Sequence, residues 1–430
     1  MPIDYNGIIF FMHKFYCLII IQIIMMGYPI SIKAQYNKIF NNNIRSLKVV
    51  ADNNWTSLPI IELNNGILTI DFDELSTEHQ NLTYNITHCD ANWNPTKGIF
   101  ESDFVEGFAD NNTIDNITPS TLTTIPYTHY QIQIPNSRCR PKLSGNYLLT
   151  IQDANNEPIA QVSFMIIEQF ENTMPIKLTV KTATDATVNQ YHQQIDMDLS
   201  YGKYNVINPN YQIETVLLQN KQWHNLRKNA KPTYIMPTGL RWTHCNNFIF
   251  LAGNEYRKIE ILSTKVPTLG IDKISWDGSS YNAYPFIDYP RKNYIYDKDA
   301  NGSFLIRNSD NYNNDTESDY VKTHFRLNAP MITNGDIYIN GDWTYDLFIP
   351  KYKLTYNNET KLYEVTIPLK LGYYNYQYIV KNNKGEFSCI PIEGSFYQTE
   401  NTYQALVYYR EQGGRTDKLV GYCETKFQIR

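Results

Sequence analysis

The chain has 430 residues, with 38 Lys and Arg against 43 Asp and Glu and a formal net charge of -5. That length predicts two or three domains, and the mild acidity excludes the basic face and high pI expected of a nucleic-acid binder. Tyrosine stands out with 35 copies, and an aromatic-rich chain punctuated by Asn, Gly and Pro points to an all-β fold.

Residues 1–34 read as a secretory signal peptide. Met12-His13-Lys14 forms a short basic region, an apolar run extends from Phe15 to Met26, and Gly27 and Pro29 break it ahead of a small residue, Ala34. Met1 and Met12 are both compatible start positions. The apolar run is short for a bilayer span, and no later stretch is long and apolar enough to cross a membrane. The mature chain is therefore expected to be exported. Loss of Cys17 with the signal leaves Cys89, Cys139, Cys245, Cys389 and Cys423. An odd, dispersed set of this kind does not suit a disulfide framework, although one bridge stays open.

A first module is predicted over 35–170. Strands are expected at 46–50, 59–63 and 68–72, the last two joined as a hairpin through Asn64-Asn65-Gly66, where Asn-Gly supplies positive φ. Next comes Leu82–Cys89, which places Leu82, Tyr84, Ile86 and His88 on one face and ends in the turn Asp90–Pro95. Strands at 128–134, 146–152 and 161–168 complete a sandwich of immunoglobulin-like size. A second sandwich is predicted over 171–312, with strands near 176–181, 193–199, 213–219, 248–251 and 258–262 and an aromatic-anchored turn at Lys221–Asn225. The Asn- and Asp-rich stretch Asn308–Ser318 is the linker candidate.

The third module, 318–412, alternates most clearly. Strands are expected at 320–327, 336–339, 362–369 and 372–380, the last two facing each other across Lys370-Leu371, and residues 413–430 are read as a tail. This order, with Gly341-Asp342-Trp343 and the Tyr373–Tyr378 run, resembles the immunoglobulin-like early-set sandwiches of starch- and glycogen-binding modules. The fold class is thus all-β, as tandem immunoglobulin-like sandwiches.

The densest knot of reactive side chains is Thr87-His88-Cys89-Asp90-Ala91-Asn92-Trp93. Together with Thr243-His244-Cys245 it offers two His and two Cys, all competent zinc ligands. Adjacent strand residues point to opposite faces, however, so neither pair converges easily on one ion, and packed strand residues are the expected reading. Cys89 lies on a presumed strand rather than at a helix N-terminus. The sequence contains no G-x-S-x-G, H-E-x-x-H, P-loop or G-x-G-x-x-G pattern, and Asp71, Asp73 and Glu74 lack calcium-loop spacing. No enzyme, cofactor, metal ligand or catalytic residue is therefore assigned. Trp343 and the tyrosines Tyr373, Tyr374, Tyr376 and Tyr378 are candidates for stacking on sugar rings, for a protein interface, or for core packing. The strands are too short and the turns too dense for an outer-membrane barrel.

Taken in order, several passages carry a family likeness: Tyr84 to Trp93; Tyr127-Thr128-His129-Tyr130 with Ile134-Pro135-Asn136; Lys142 to Tyr147; and Gly253-Asn254-Glu255-Tyr256-Arg257. Glu393-Gly394-Ser395-Phe396, Thr399 to Tyr403, Val407 to Arg410 and Gly414 to Leu419 continue it. On these residues the chain resembles the plug protein family of the type IX secretion system of Bacteroidetes. It departs from that pattern at Asn92, where an acidic residue is expected, and at Leu251-Ala252, where a Pro-Gly-like turn is expected. The resemblance implies a periplasmic, non-enzymatic partner of a large outer-membrane translocon barrel of the SprA type, closing its periplasmic mouth when no cargo is engaged. The alternative reading is a periplasmic carbohydrate-binding protein.

Overall fold

The computed structural model describes residues 37–76, 78–185 and 191–428. The signal-peptide reading, with Met12 and Cys17, falls outside the described residues. The fold is all-β, with several sheets arranged as sandwiches around three apolar cores.

The first sandwich sets the four-stranded sheet of Ile44–Ala51, Leu68–Glu74, Thr128–Ile134 and Asn116–Pro119 over Thr83–Cys89, Gly145–Gln152 and Pro158–Ile167. Alternation decides which side chains enter the core. Tyr84, Ile86, Tyr147, Leu149, Ile151, Val162 and Phe164 meet Leu68, Ile70, Phe72, Tyr130 and Ile132 between the sheets. The hairpin expected through Asn64-Asn65-Gly66 does not form. Gly66 takes positive φ, as does Asn64 in place of Asn65, but Ile60–Glu62 runs parallel to Pro158–Ile167 while Leu68–Glu74 pairs with Ile44–Ala51. The turn thus moves the chain from one sheet to the other, and the Asp52 carboxylate receives the Ile67 N–H at its exit.

The second sandwich takes strands from three parts of the chain. Ile176–Lys181, His192–Ser200, Gly239–Trp242, Tyr234–Met236 and Ile249–Leu251 make one sheet. Its partner sheet is Ile213–Gln219 with Thr402–Tyr409 and Lys418–Lys426. Residues 413–430, read as a tail, therefore contain a nine-residue strand, and the last two strands close the second core rather than the third. The physical reason is visible in their burial: every residue of Thr402–Tyr409 is buried, so this strand needs cover on both faces. A single parallel bridge, Ile167 to Leu419, then continues the sheet into the first sandwich.

The third sandwich begins earlier than expected. Arg257–Ile261 pairs with Gly372–Asn382, and Ile271–Trp276 and Tyr281–Pro285 join Tyr320–Leu327 and Leu362–Lys370. Leu362–Lys370 and Gly372–Asn382 lie in different sheets, so Lys370-Leu371 is a crossing between layers instead of a hairpin turn. Asn308–Ser318 is no free linker. It holds the helical turn Asn314–Glu317 and docks on the first sandwich, where Tyr127 Oη donates to Ser318 O at 2.9 Å and Thr121 N to Thr316 O at 3.0 Å.

Candidate functional site

The knot at Thr87–Trp93 is a joint between sandwiches. His88 is buried, with Nδ1 2.8 Å from Thr96 Oγ1 and Nε2 3.1 Å from Ser144 O. A carbonyl can only accept, so Nε2 carries the proton and Nδ1 accepts from the Thr96 hydroxyl. Burial holds the imidazole below its ordinary pKa, which favours this neutral form. The ring stands edge-on to Tyr147 at 5.1 Å. Both His88 and Cys89 are buried although they alternate, because the last residues of the strand are covered on both faces. Gly145 explains the fit: at φ +136°, an added Cβ would come within 2.7 Å of His88 Nε2 and 2.9 Å of Asp417 O.

The turn after the strand reaches outwards. Ala91 N donates to Asp417 Oδ2 at 3.0 Å, and Arg410 grips the same carboxylate at 2.6 and 2.8 Å. Asn146 Nδ2 donates to Asp90 O at 2.9 Å, and Asn146 Oδ1 accepts from Tyr408 Oη at 2.8 Å. Trp93, in the left-handed region at φ +62°, stands edge-on to Trp223 of the second sandwich at 5.9 Å. Lys228 donates to Asn92 Oδ1, so the residue that departs from the family pattern still closes a contact.

A second joint ties the first sandwich to the third through buried charge. Asp73 Oδ2 accepts from Lys370 Nζ at 2.6 Å and Tyr320 Oη at 2.6 Å, and Oδ1 lies 2.7 Å from His129 Nδ1. Lys370 Nζ also sits 4.2 Å above the Tyr127 ring. Burial alone would raise the Asp73 carboxyl, but Lys370 and His129 hold it below the ordinary value. Burial opposes charge on His129 too, and Asp71 and Asp73 overcome it, pushing its pKa up to about 9. Asp71, Asp73 and Glu74, considered above as a calcium cluster, lie on one strand whose Asp73 is committed to Lys370.

A third joint lies at the edge of the third sandwich. Glu393 accepts from Arg257 Nε at 3.1 and 3.2 Å, Arg291 Nε at 2.8 Å and Tyr378 N at 2.8 Å. Arg257 Nη1 reaches Asp288 Oδ1 at 2.7 Å, and Tyr376 and Tyr378 donate to Asp288 Oδ2 at 2.9 and 2.8 Å. Glu255 takes Tyr294 Oη at 2.8 Å, and burial pushes its carboxyl up to about 7.

The two His-Cys pairs do not share a site. His244 is exposed and engages Asp185 at 2.8 Å, and among the described residues no group of three His, Cys, Asp or Glu is placed to hold a metal ion. Burial pushes the Cys139 and Cys389 thiols up to about 12, away from thiolate chemistry. Trp343 is a core plug whose Nε1 donates to Asn375 O at 2.8 Å, so its ring is closed to a sugar. Tyr374, Tyr376 and Tyr378 are likewise buried, and Tyr373 is half-buried.

Residues quoted for the family likeness meet in these three networks: His88, Asn146, Tyr408 and Asp417 in the first, Tyr127 and His129 in the second, and Glu255, Arg257 and Glu393 in the third. The family model described as type 9 secretion system plug protein 1st domain matches residues 44–168, which is the first sandwich from its opening strand. The chain belongs to the type IX secretion system plug protein family. A crystal structure of a hypothetical protein from Parabacteroides merdae ATCC 43184 is 32% identical, with a TM-score of 0.88 over 92% of this chain and 100% of that one. No curated protein matches the chain. Membership assigns it a role in type IX secretion, and no helix among the described residues is long and apolar enough to cross a membrane.

His88→Ala tests the packing role of the knot. It is expected to cost about 2–4 kcal/mol, from the cavity beside Tyr147 and the lost donor to Ser144 O. A urea midpoint measures this, and the folded variant is expected to retain its partners.

Proposed function

We propose that the protein is a non-enzymatic plug. It resides in the periplasm against the inner side of the outer membrane and closes the periplasmic mouth of a SprA-type translocon barrel that is not engaged with cargo. The observation that carries this reading is the family match over the first sandwich, and the polar joints of that sandwich with the second and the third give it a mechanical basis. A cap over a wide water-filled opening must keep its shape against a large partner. Buried ion pairs and hydrogen-bonded aromatics fix the sandwiches to one another with more geometric specificity than apolar contact alone. Reversible closure suits a surface of mixed aromatic and polar groups. Release is competitive: the binding energy of the cargo complex displaces the plug.

Deletion of the gene in the native host is the test. Outer-membrane permeability to a bulky antibiotic is expected to rise while the barrel remains in place. Unchanged permeability with unchanged secretion would sink the proposal.

A further inference from the structure

Residues 286–296 cross the third sandwich as a strap with no helix and no strand. Its anchors recur every third residue. Asp288 enters the Arg257, Tyr376 and Tyr378 cluster, Arg291 binds Glu393 and donates its N–H to Ile392 O at 2.7 Å, and Tyr294 caps Glu255. Large side chains beside the anchors are exposed instead. Phe286 is 60% exposed, Tyr289 57%, Ile295 75% and Tyr296 56%. Ile390 adds a further exposed apolar side chain, on the turn Ile390–Glu393 that Arg291 grips at Ile392.

A strap that only covered the core would place its large apolar side chains inwards. Here the anchoring side chains are charged or hydroxylated, while Phe286, Tyr289, Ile295 and Tyr296 are exposed, which leaves apolar surface in water. The ion network stiffens it: Arg257 links Asp288, Glu393 and the carbonyl of Tyr289 at once, so the exposed groups are held in place before any partner arrives. Aromatic and aliphatic groups presented on a rigid backbone are the composition of protein interface centres. The exposed charges beside them, Lys292, Asp297 and Lys298, mix both signs and give an anionic lipid surface little to attract. The strap also offers no strand edge for sheet-to-sheet pairing with another copy.

We infer that the outward face of the 286–296 strap, with Ile390, is the surface by which this protein seats on the rim of its translocon barrel. This inference rests on the plug reading proposed above. The exposed Phe, Tyr and Ile side chains enter the interface centre, and Lys292, Asp297 and Lys298 form part of its polar rim.

The test uses the full-length, affinity-tagged protein expressed in the native host lacking its own copy. Detergent-solubilised membranes are purified on the tag, and the barrel recovered per bait is quantified. Three baits are compared: wild type, the strap variant F286S/Y289S/I295S, and a control carrying F100S/F108S on the first sandwich, where both side chains are likewise exposed. Barrel recovery is expected to fall about tenfold or more for the strap variant and to stay within about twofold for the control, with equal thermal midpoints. Should the triple variant melt early, Ile295→Glu alone, at the most exposed of these large apolar side chains, gives the same readout. Undiminished recovery by the strap variant would overturn the assignment of the surface while leaving the plug reading intact. No barrel recovered with wild type would overturn both. A wild-type dimer in solution that the strap variant converts to monomer would assign the face to a second copy and overturn the proposal.

Discussion

Lys370→Met is expected to destabilise the protein by about 3–5 kcal/mol, because it leaves Asp73 charged and without its nearest cation. Both side chains of the pair are 1% exposed, so solvent cannot take over for the missing ammonium. Tyr320 Oη and His129 would still touch the carboxylate, which keeps the loss below that of an isolated buried ion. The double variant Asp73→Leu with Lys370→Met is expected to recover much of the loss, since a buried ion pair replaced by apolar side chains of similar volume is often near neutral. A double-mutant cycle in urea measures the coupling. Destabilisation no greater than about 1 kcal/mol in the single variant would show that the pair is not buried in solution.

The same joint sets a pH dependence. The folded pKa of His129 is raised to about 9 from its ordinary value of 6.5, so its contribution is fully present below about pH 6.5 and is lost as pH rises through about 9. A shift of that size corresponds to about 3 kcal/mol. Asp73 is held below its ordinary 3.8, so its contribution is present above that pH and fades in stronger acid. Stability measured from pH 6 to pH 10 is expected to fall, and His129→Gln to flatten the alkaline limb.

Glu393→Leu is the second large effect, again about 3–5 kcal/mol. Burial alone would raise this carboxyl, and Arg257 and Arg291 hold it below its usual range. Removing it leaves two guanidinium groups facing an apolar side chain and takes the acceptor from Tyr378 N. Arg257 keeps Asp288, whereas Arg291 loses its carboxylate, so the strap should loosen before the sandwich does. Hydrogen exchange is expected to quicken across 286–296 while Ile44–Ala51 in the first sandwich stays protected. Uniform acceleration over the whole chain would show that the clamp is part of the global core instead.

Much of the fold was legible because period-two alternation is a local signal. Leu82, Tyr84, Ile86 and His88 were placed on one face and are all buried, and the Trp223 turn anchor and the positive φ at Gly66 followed from residue type. Pairing partners were not legible. Ile60–Glu62 could have paired with its sequence neighbour, and only the long-range register with Met165 to Ile167 settled otherwise. Thr402–Tyr409 was not read as a strand at all, and its neighbour Ile213–Gln219 lies almost two hundred residues earlier in the chain.

By itself the sequence determined the fold class, most strand positions and, through an ordered set of passages, the family likeness, because these depend on local chemistry and its order. Only the tertiary structure decided what those passages do. Arg257 and Glu393 lie 136 residues apart along the chain and meet in one clamp, and Asp73 meets a lysine almost three hundred residues away. Charge neutralisation in a low-dielectric interior is a property of neighbours in space, so no reading along the chain could have assigned it.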